Sequence, residues 1–144
     1  MIIGLDTTFL VQHDVREAVH HAWARHYLRE TILGQGDAVG LAPQVLAEYI
    51  HVVSDEKRFA APLPVPEALE RASTWWSLVE VHKILPDEES VALFFEWMGQ
   101  FRLGRKRVLD TLLAATYASH GIRSILSTDV EGFRALTGLE VLHP

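Results

Sequence analysis

The apolar positions come in short solid runs and in longer spaced stretches, and the two kinds alternate along the chain. Solid runs bounded by turn residues predict buried strands; spaced ones predict helices. Met1 to Leu5 reads as a strand stopped by Asp6. Asp14 to Leu33 reads as one long helix, capped by Asp14 and ended by Gly34 and Gly36, with Val15, Val19, Ala22, Trp23, Tyr27 and Ile32 on its apolar face. Ala38 to Ala42 is a second strand, and Pro43 opens a helix through Val53. A proline-rich loop at 59–66 leads to a helix from Pro66 to Leu78. Val79 to Leu85 is a third strand. Pro86 and Asp87 start the next helix, with Glu88 and Glu89 in its first turn, where the helix dipole favours them. Val108 to Ser119 is a helix closed by Gly121, Ile122 to Leu126 a strand, Val130 to Leu136 a short helix, and Leu139 to Leu142 a last strand.

Alternating strands and helices predict an α/β fold: a three-layer α/β/α sandwich around a mainly parallel sheet of about five strands. The length, 144 residues, suits a single domain spanning 1–144. An apolar content of 49% against 22% charged residues excludes a disordered chain. The longest purely apolar run, Val91 to Phe95, is far short of the roughly 20 residues of a membrane span. The absence of cysteine removes disulfides, thiolate metal sites and a cysteine nucleophile, so a cytoplasmic protein is expected. His20, His21 and His26 lack the carboxylate spacing of a zinc motif. Neither G-x-G-x-x-G nor G-x-x-x-x-G-K-[ST] occurs.

The 13 basic and 19 acidic residues leave a net charge of −6, which argues against indiscriminate nucleic-acid binding. The basic residues are not evenly spread, however. Arg102, Arg105, Lys106 and Arg107 fall within six positions. Such a patch can grip a phosphate backbone, and can equally be a solvated turn.

The acids hold the candidate chemistry. Asp6 follows the first strand, and Asp129 follows the strand at 124–126. Glu48 lies one turn into the helix after the second strand, and Asp110 opens an otherwise apolar helix. In a parallel α/β sheet ligands bind beyond the carboxyl ends of the strands, so all four could converge there. Converging carboxylates repel, and a hard divalent cation such as Mg²⁺ or Mn²⁺ relieves the repulsion. Each acid also has a plainer explanation. Asp6 could cap the next turn, Asp110 could complement its helix N-terminus, and Asp129 could cap the following helix. Glu48 could belong to a solvated stripe with Gln44, His51 and Asp55.

At these residues the sequence resembles PIN domains, in particular the VapC-type toxin ribonucleases of toxin–antitoxin modules. The resemblance covers nearly the whole chain. It rests on Ile3-Gly4-Leu5-Asp6-Thr7-Thr8, on the run from Leu46 through Glu48 to Asp55, on Asp110-Thr111-Leu112-Leu113-Ala114-Ala115-Thr116, and on Leu126-Ser127-Thr128-Asp129-Val130-Glu131-Gly132-Phe133. Gly138 to Pro144 resembles the family's closing strand and tail.

The resemblance implies a Mg²⁺- or Mn²⁺-dependent endonuclease of single-stranded RNA. Asp6, Glu48, Asp110 and Asp129 match its acidic quartet, with Asp6 and Asp110 as core metal ligands. Thr7 and Ser127 or Thr128 match hydroxyls that order the site. Arg105, Lys106 and Arg107, just ahead of Asp110, would then bind the RNA backbone. A cognate antitoxin and a homodimer are also implied. The long first helix and the segment around Trp75 and Trp76 are candidate docking surfaces, and Phe94 and Trp97 could serve a dimer interface or the core. Two positions depart from the family pattern. Thr8 stands where Asn or Ser is common, and Gly132 stands where an aspartate commonly precedes the phenylalanine. An inactive module that binds RNA or protein and a housekeeping RNA-processing nuclease remain alternatives. A phosphorylated receiver domain is disfavoured, because Asp6 has no adjacent acid and the last strand is followed by His143-Pro144.

Overall fold

The computed structural model describes every residue except Thr137. Five strands form one sheet: β1 (Ile2–Leu5), β2 (Ala38–Leu41), β3 (Val81–Lys83), β4 (Ser124–Leu126) and β5 (Glu140–Leu142). Their spatial order is β3-β2-β1-β4-β5, and every neighbouring pair is parallel. The central strands are nearly continuous apolar runs because helices cover both of their faces. The edge strands β3 and β5 are short and more exposed, and Glu140, His82 and Lys83 keep those edges polar.

The helices are α1 (Thr7–Asp14), α2 (His21–His26), α3 (Pro43–Val53), α4 (Val65–Ser77), α5 (Glu88–Gln100), α6 (Val108–Ser119) and α7 (Val130–Phe133). Helices α1 to α4 pack among themselves, as do α5 to α7. Asp87 and Ser90 close a capping box at the start of α5. Helix α6 lies tight against β1. A Cβ at Gly4 would come within 2.6 Å of the Tyr117 ring, so only glycine admits this approach. The Tyr117 hydroxyl donates to the Leu5 carbonyl and accepts the Ala42 N–H at 3.3 Å. It thereby ties together the carboxyl ends of β1 and β2, where the chain turns toward the candidate acids. Among the described residues no helix is long and apolar enough to cross a membrane.

The expected long helix over 14–33 is not present. Helix α1 runs through 7–14 and ends at Asp14, and Val15 is extended. After a turn, α2 continues through a wide π turn at Tyr27–Ile32 and a 3-10 turn at Leu33–Gln35, ending at left-handed Gly36. Val19 lies in the turn, 84% exposed, and Ala22 is exposed too. Ala24, Leu28 and Ile32 are the buried apolar residues here, with Trp23 and Tyr27 packed against the core. Asp14 does not cap a following helix, because its carboxylate is turned onto Tyr49 of α3 and Trp75 of α4. The third strand is shorter than expected, and α7 ends at Phe133, not Leu136.

Candidate active site

Strand order β3-β2-β1-β4-β5 reverses direction between β1 and β4, which opens a crevice beyond their carboxyl ends. Asp6 stands at that point, only 5% exposed. Its backbone N–H donates to the Leu126 carbonyl at 3.1 Å, joining the ends of the two strands. It occupies the cap position of α1, yet its side chain makes no cap hydrogen bond. Its Oδ2 instead accepts from the Ser127 hydroxyl at 2.7 Å and the Thr8 hydroxyl at 3.0 Å. Those hydroxyls also hold the backbone after β4. The Asp129 N–H donates to Ser127 Oγ at 2.9 Å, and the Thr128 N–H donates to Thr8 Oγ1 at 3.0 Å. Burial pushes the Asp6 carboxyl up from its ordinary pKa against the pull of the two hydroxyls, and the charge of Glu48 adds to the rise.

Asp129 combines two roles. Its Oδ1 caps α7 by accepting the Gly132 N–H at 3.2 Å. Its Oδ2 borders the space over Gly132, where a Cβ would sit 2.8 Å away and 2.7 Å from Asp110 Oδ2. The two carboxylates therefore flank one point that any side chain at 132 would fill. Asp110 lies in the first turn of α6, half-buried. Its pKa is pushed up to about 7, first by burial and then by the charges of Asp6, Asp129 and Glu48; Arg107 opposes the rise. Glu48 is exposed on α3, but its charge reaches both Asp6 and Asp110.

The structure thus draws the four sequence-selected acids into one electrostatic neighbourhood. Among the described residues no three histidine, aspartate or glutamate side chains already close into a cage for a metal ion. The donor set is all oxygen and mutually repelling, with Asp110 and Asp129 flanking the gap at Gly132, and these features suit a hard divalent cation. Beside the acids opens a cavity of about 350 Å³, lined by Thr7, Thr8, Glu48, Arg58, Phe59 and Thr128 among others.

The hydroxyls are distributed differently from the expectation. Ser127 orders the site through its side chain, whereas Thr128 does so through its backbone N–H. Thr7 is buried and its hydroxyl finds no partner, so it does not share in this network. Thr8, noted in the sequence only as a departure, takes that part. Its side chain returns from the first turn of α1 toward Asp6, one residue beyond the predicted position. Arg105 and Lys106 are exposed on a 3-10 turn, Arg105–Arg107, that leads into α6, and Arg107 is close enough to act on Asp110.

Comparisons with known proteins agree with this architecture. The PIN domain family model matches residues 3–139. The chain belongs to the PIN domain family. It is 26% identical over 137 residues to ribonuclease VapC24 of Mycobacterium tuberculosis, covering 92% of this chain and 89% of that protein. Solved structures share the fold. VapC20 of M. tuberculosis, described as a sarcin-ricin loop cleaving toxin, superposes with a TM-score of 0.72 at 17% identity and full coverage of both chains. A chain of the Rickettsia felis VapBC2 complex, solved with a fragment of promoter DNA, gives a TM-score of 0.69 at 15% identity, covering 100% of this chain and 99% of that one. A chain of FitAcB from Neisseria gonorrhoeae gives 0.67 at 18% identity, covering 100% of this chain and 98% of that one.

Proposed function

We propose that this chain is a metal-dependent endoribonuclease, the toxin component of a VapBC-type module. The observation that carries the reading is the gathering of Asp6, Glu48, Asp110 and Asp129 at the switch point of the sheet, where burial and then the charges of the other three acids push the Asp110 pKa up to about 7. The similarity to ribonuclease VapC24 over almost the full chain supports an RNA substrate. The likeness to chains of VapBC complexes supports an antitoxin partner.

Asp6 and Asp110 would hold Mg²⁺ or Mn²⁺, with Asp129 and Glu48 as further direct or water-mediated ligands. A cation bound there supplies a water of lowered pKa and neutralises charge developing on the phosphate under attack. Ser127 and Thr8 fix the Asp6 carboxylate, and the cap bond to Gly132 fixes one oxygen of Asp129. Arg105, Lys106 and Arg107 bind the RNA backbone beside Asp110. In-line attack by water leaves a 3′-hydroxyl and a 5′-phosphate. The exposed Phe95 and Val91 on α5 offer an apolar face for a second copy of the chain.

Cleavage of an end-labelled structured RNA pool tests this reading, run with Mg²⁺, Mn²⁺ or EDTA beside Asp6→Asn. Cutting is expected with either metal and is expected to vanish in EDTA and in the variant. Folded wild-type protein that neither cuts RNA nor takes up Mn²⁺ would refute it in favour of a binding module.

A further inference from the structure

A second cavity, about 590 Å³, lies between the 15–17 turn and α2 on one side and the end of α3, the 59–63 loop and α4 on the other. It is lined by Arg16, Arg25, Arg71 and His21. Phe59 lines this cavity and also the one beside the carboxylates, so the two are neighbours that share that ring as a wall. Arg16 and Arg25 are exposed, and among the described residues neither guanidinium enters a salt bridge. Arg71 is held in the wall by the Asp14 carbonyl at 3.4 Å and Glu67 at 3.2 Å. His21 Nδ1 donates to the Gln12 carbonyl at 3.0 Å, which fixes its ring. Two acids share the rim. The Asp14 carboxylate is taken up by His13, Tyr49 and Trp75, which leaves Glu17 as the acid without a partner of its own.

We propose that this arginine cleft carries single-stranded RNA away from the carboxylate site, its guanidiniums holding successive phosphates and Phe59 stacking on a base at the junction. The proposal rests on the ribonuclease reading above and adds substrate-binding residues on the helix group opposite the Arg105–Arg107 turn. Guanidinium forks match phosphate oxygens two at a time, and they keep their charge at every relevant pH. A basic groove with an aromatic face is how single strands are held without base readout. The shared Phe59 wall, which sets the cleft next to the cavity beside the carboxylates, favours RNA over an acidic protein segment as the occupant. On a chain of net charge −6, attraction for a polyanion has to come from such local clusters.

The test is binding of a short fluorescent single-stranded RNA in EDTA, where cleavage plays no part, across a salt series. Arg16→Ala/Arg25→Ala is expected to weaken binding about tenfold and to lower the salt slope by about 1.4, since each phosphate contact on a single strand contributes about 0.7. Phe59→Leu, which keeps the packing and removes the ring, is expected to weaken binding several-fold with no change of slope. The charge-matched Arg29→Ala/Arg123→Ala should bind like wild type. Wild-type affinity and slope in Arg16→Ala/Arg25→Ala would overturn the proposal, as would RNA binding absent from the wild type. The same variant losing an acidic protein partner while keeping RNA would also overturn it. Cleavage by the wild type with unchanged binding in the variant would sink the cleft alone. Arginine-dependent binding without cleavage would sink the nuclease reading and leave the cleft standing.

Discussion

Helix α1 has an aspartate at each end, and the two are treated in opposite ways. Asp14, at the carboxyl end, is surrounded by donors: Tyr49 Oη at 2.6 Å and Trp75 Nε1 at 2.8 Å on one oxygen, His13 Nδ1 at 2.7 Å on the other. Burial works to raise its pKa, but these hydrogen bonds outweigh burial and hold the carboxyl below its ordinary range. Burial and the contact with Asp14 push the Tyr49 hydroxyl far up, so it stays a donor. Asp6, at the amino end, has two hydroxyl donors that do not outweigh burial, and with the charge of Glu48 added its pKa is raised. One aspartate is satisfied by the fold. The other is left in want of positive charge that the described residues around it do not provide, which is the signature of a site built for a ligand.

The largest effects belong to the unsatisfied end. Asp110→Asn is expected to lower RNA cleavage by at least about 10²-fold while leaving the fold more stable. The sign follows from linkage. A carboxyl whose folded pKa is raised from about 4 to about 7 favours the folded state while protonated, and stability is lost as pH rises through that window. Removing the charge restores it, by about 1–2 kcal/mol once solvent screening is allowed for. Thermal melts of metal-free protein should show the variant level with wild type near pH 4 and several degrees above it at pH 8. Mn²⁺ should narrow or reverse the gap, because only the wild type gains from the ligand. A variant that melts below wild type at pH 8 without metal would mean that Asp110 is structural after all.

The satisfied end should behave in the opposite sense. Asp14→Ala leaves a tyrosine hydroxyl and an indole N–H without their acceptor, and is expected to cost about 3 kcal/mol. Any loss of cleavage should be recovered at lower temperature. Asp14 stabilises the fold above the unfolded pKa of about 4, and its contribution disappears as pH falls through its lowered folded value. Asp14 therefore adds stability as pH rises out of the acid range, and Asp110 takes stability away as pH rises toward 7. A urea-unfolding series in which Asp14→Ala unfolds at the wild-type midpoint would remove the contrast.

What could be read from the sequence follows from how local each cause is. Strands β1, β2 and β4 were legible because burial on both faces leaves nearly unbroken apolar runs. The placement of Asp6 and Asp129 was legible because an acid at, or a few residues past, the end of such a run has few places to go except the sheet edge. The break of the first helix at Asp14 was not legible. Its causes, Tyr49 and Trp75, lie 35 and 61 residues away along the chain. The run Phe9-Leu10-Val11 lacks the spacing that marks a helix, so α1 passed unread. The exchange of roles between Thr7 and Thr8 depends on which way one helical turn faces Ser127, a tertiary fact. The cleft of Arg16, Arg25 and Arg71 joins residues from the turn after α1, from α2 and from α4, so no window of sequence contains it.

The smallest expected effect tests the unsatisfied end most finely. Gly132 reads from sequence as a lost acidic side chain, and in the structure it is the opening between Asp110 and Asp129. A methyl at this position would stand 2.7 Å and 2.8 Å from their Oδ2 atoms, closer than carbon and oxygen tolerate. The far ends of two carboxylates can swing aside, so Gly132→Ala should change thermal stability by less than about 1 kcal/mol. Swinging aside takes those oxygens from the point they share. Mn²⁺ affinity, read by the metal-induced rise in melting temperature, is therefore expected to fall about tenfold, and cleavage at limiting metal to fall with it. Saturating metal should restore most of the activity, because all four carboxylates are still present. If instead Mn²⁺ binds Gly132→Ala as tightly as wild type, the space over Gly132 is not where the cation sits. The crowding of Asp110 would then need relief elsewhere, where it meets the charges of Asp6 and Glu48.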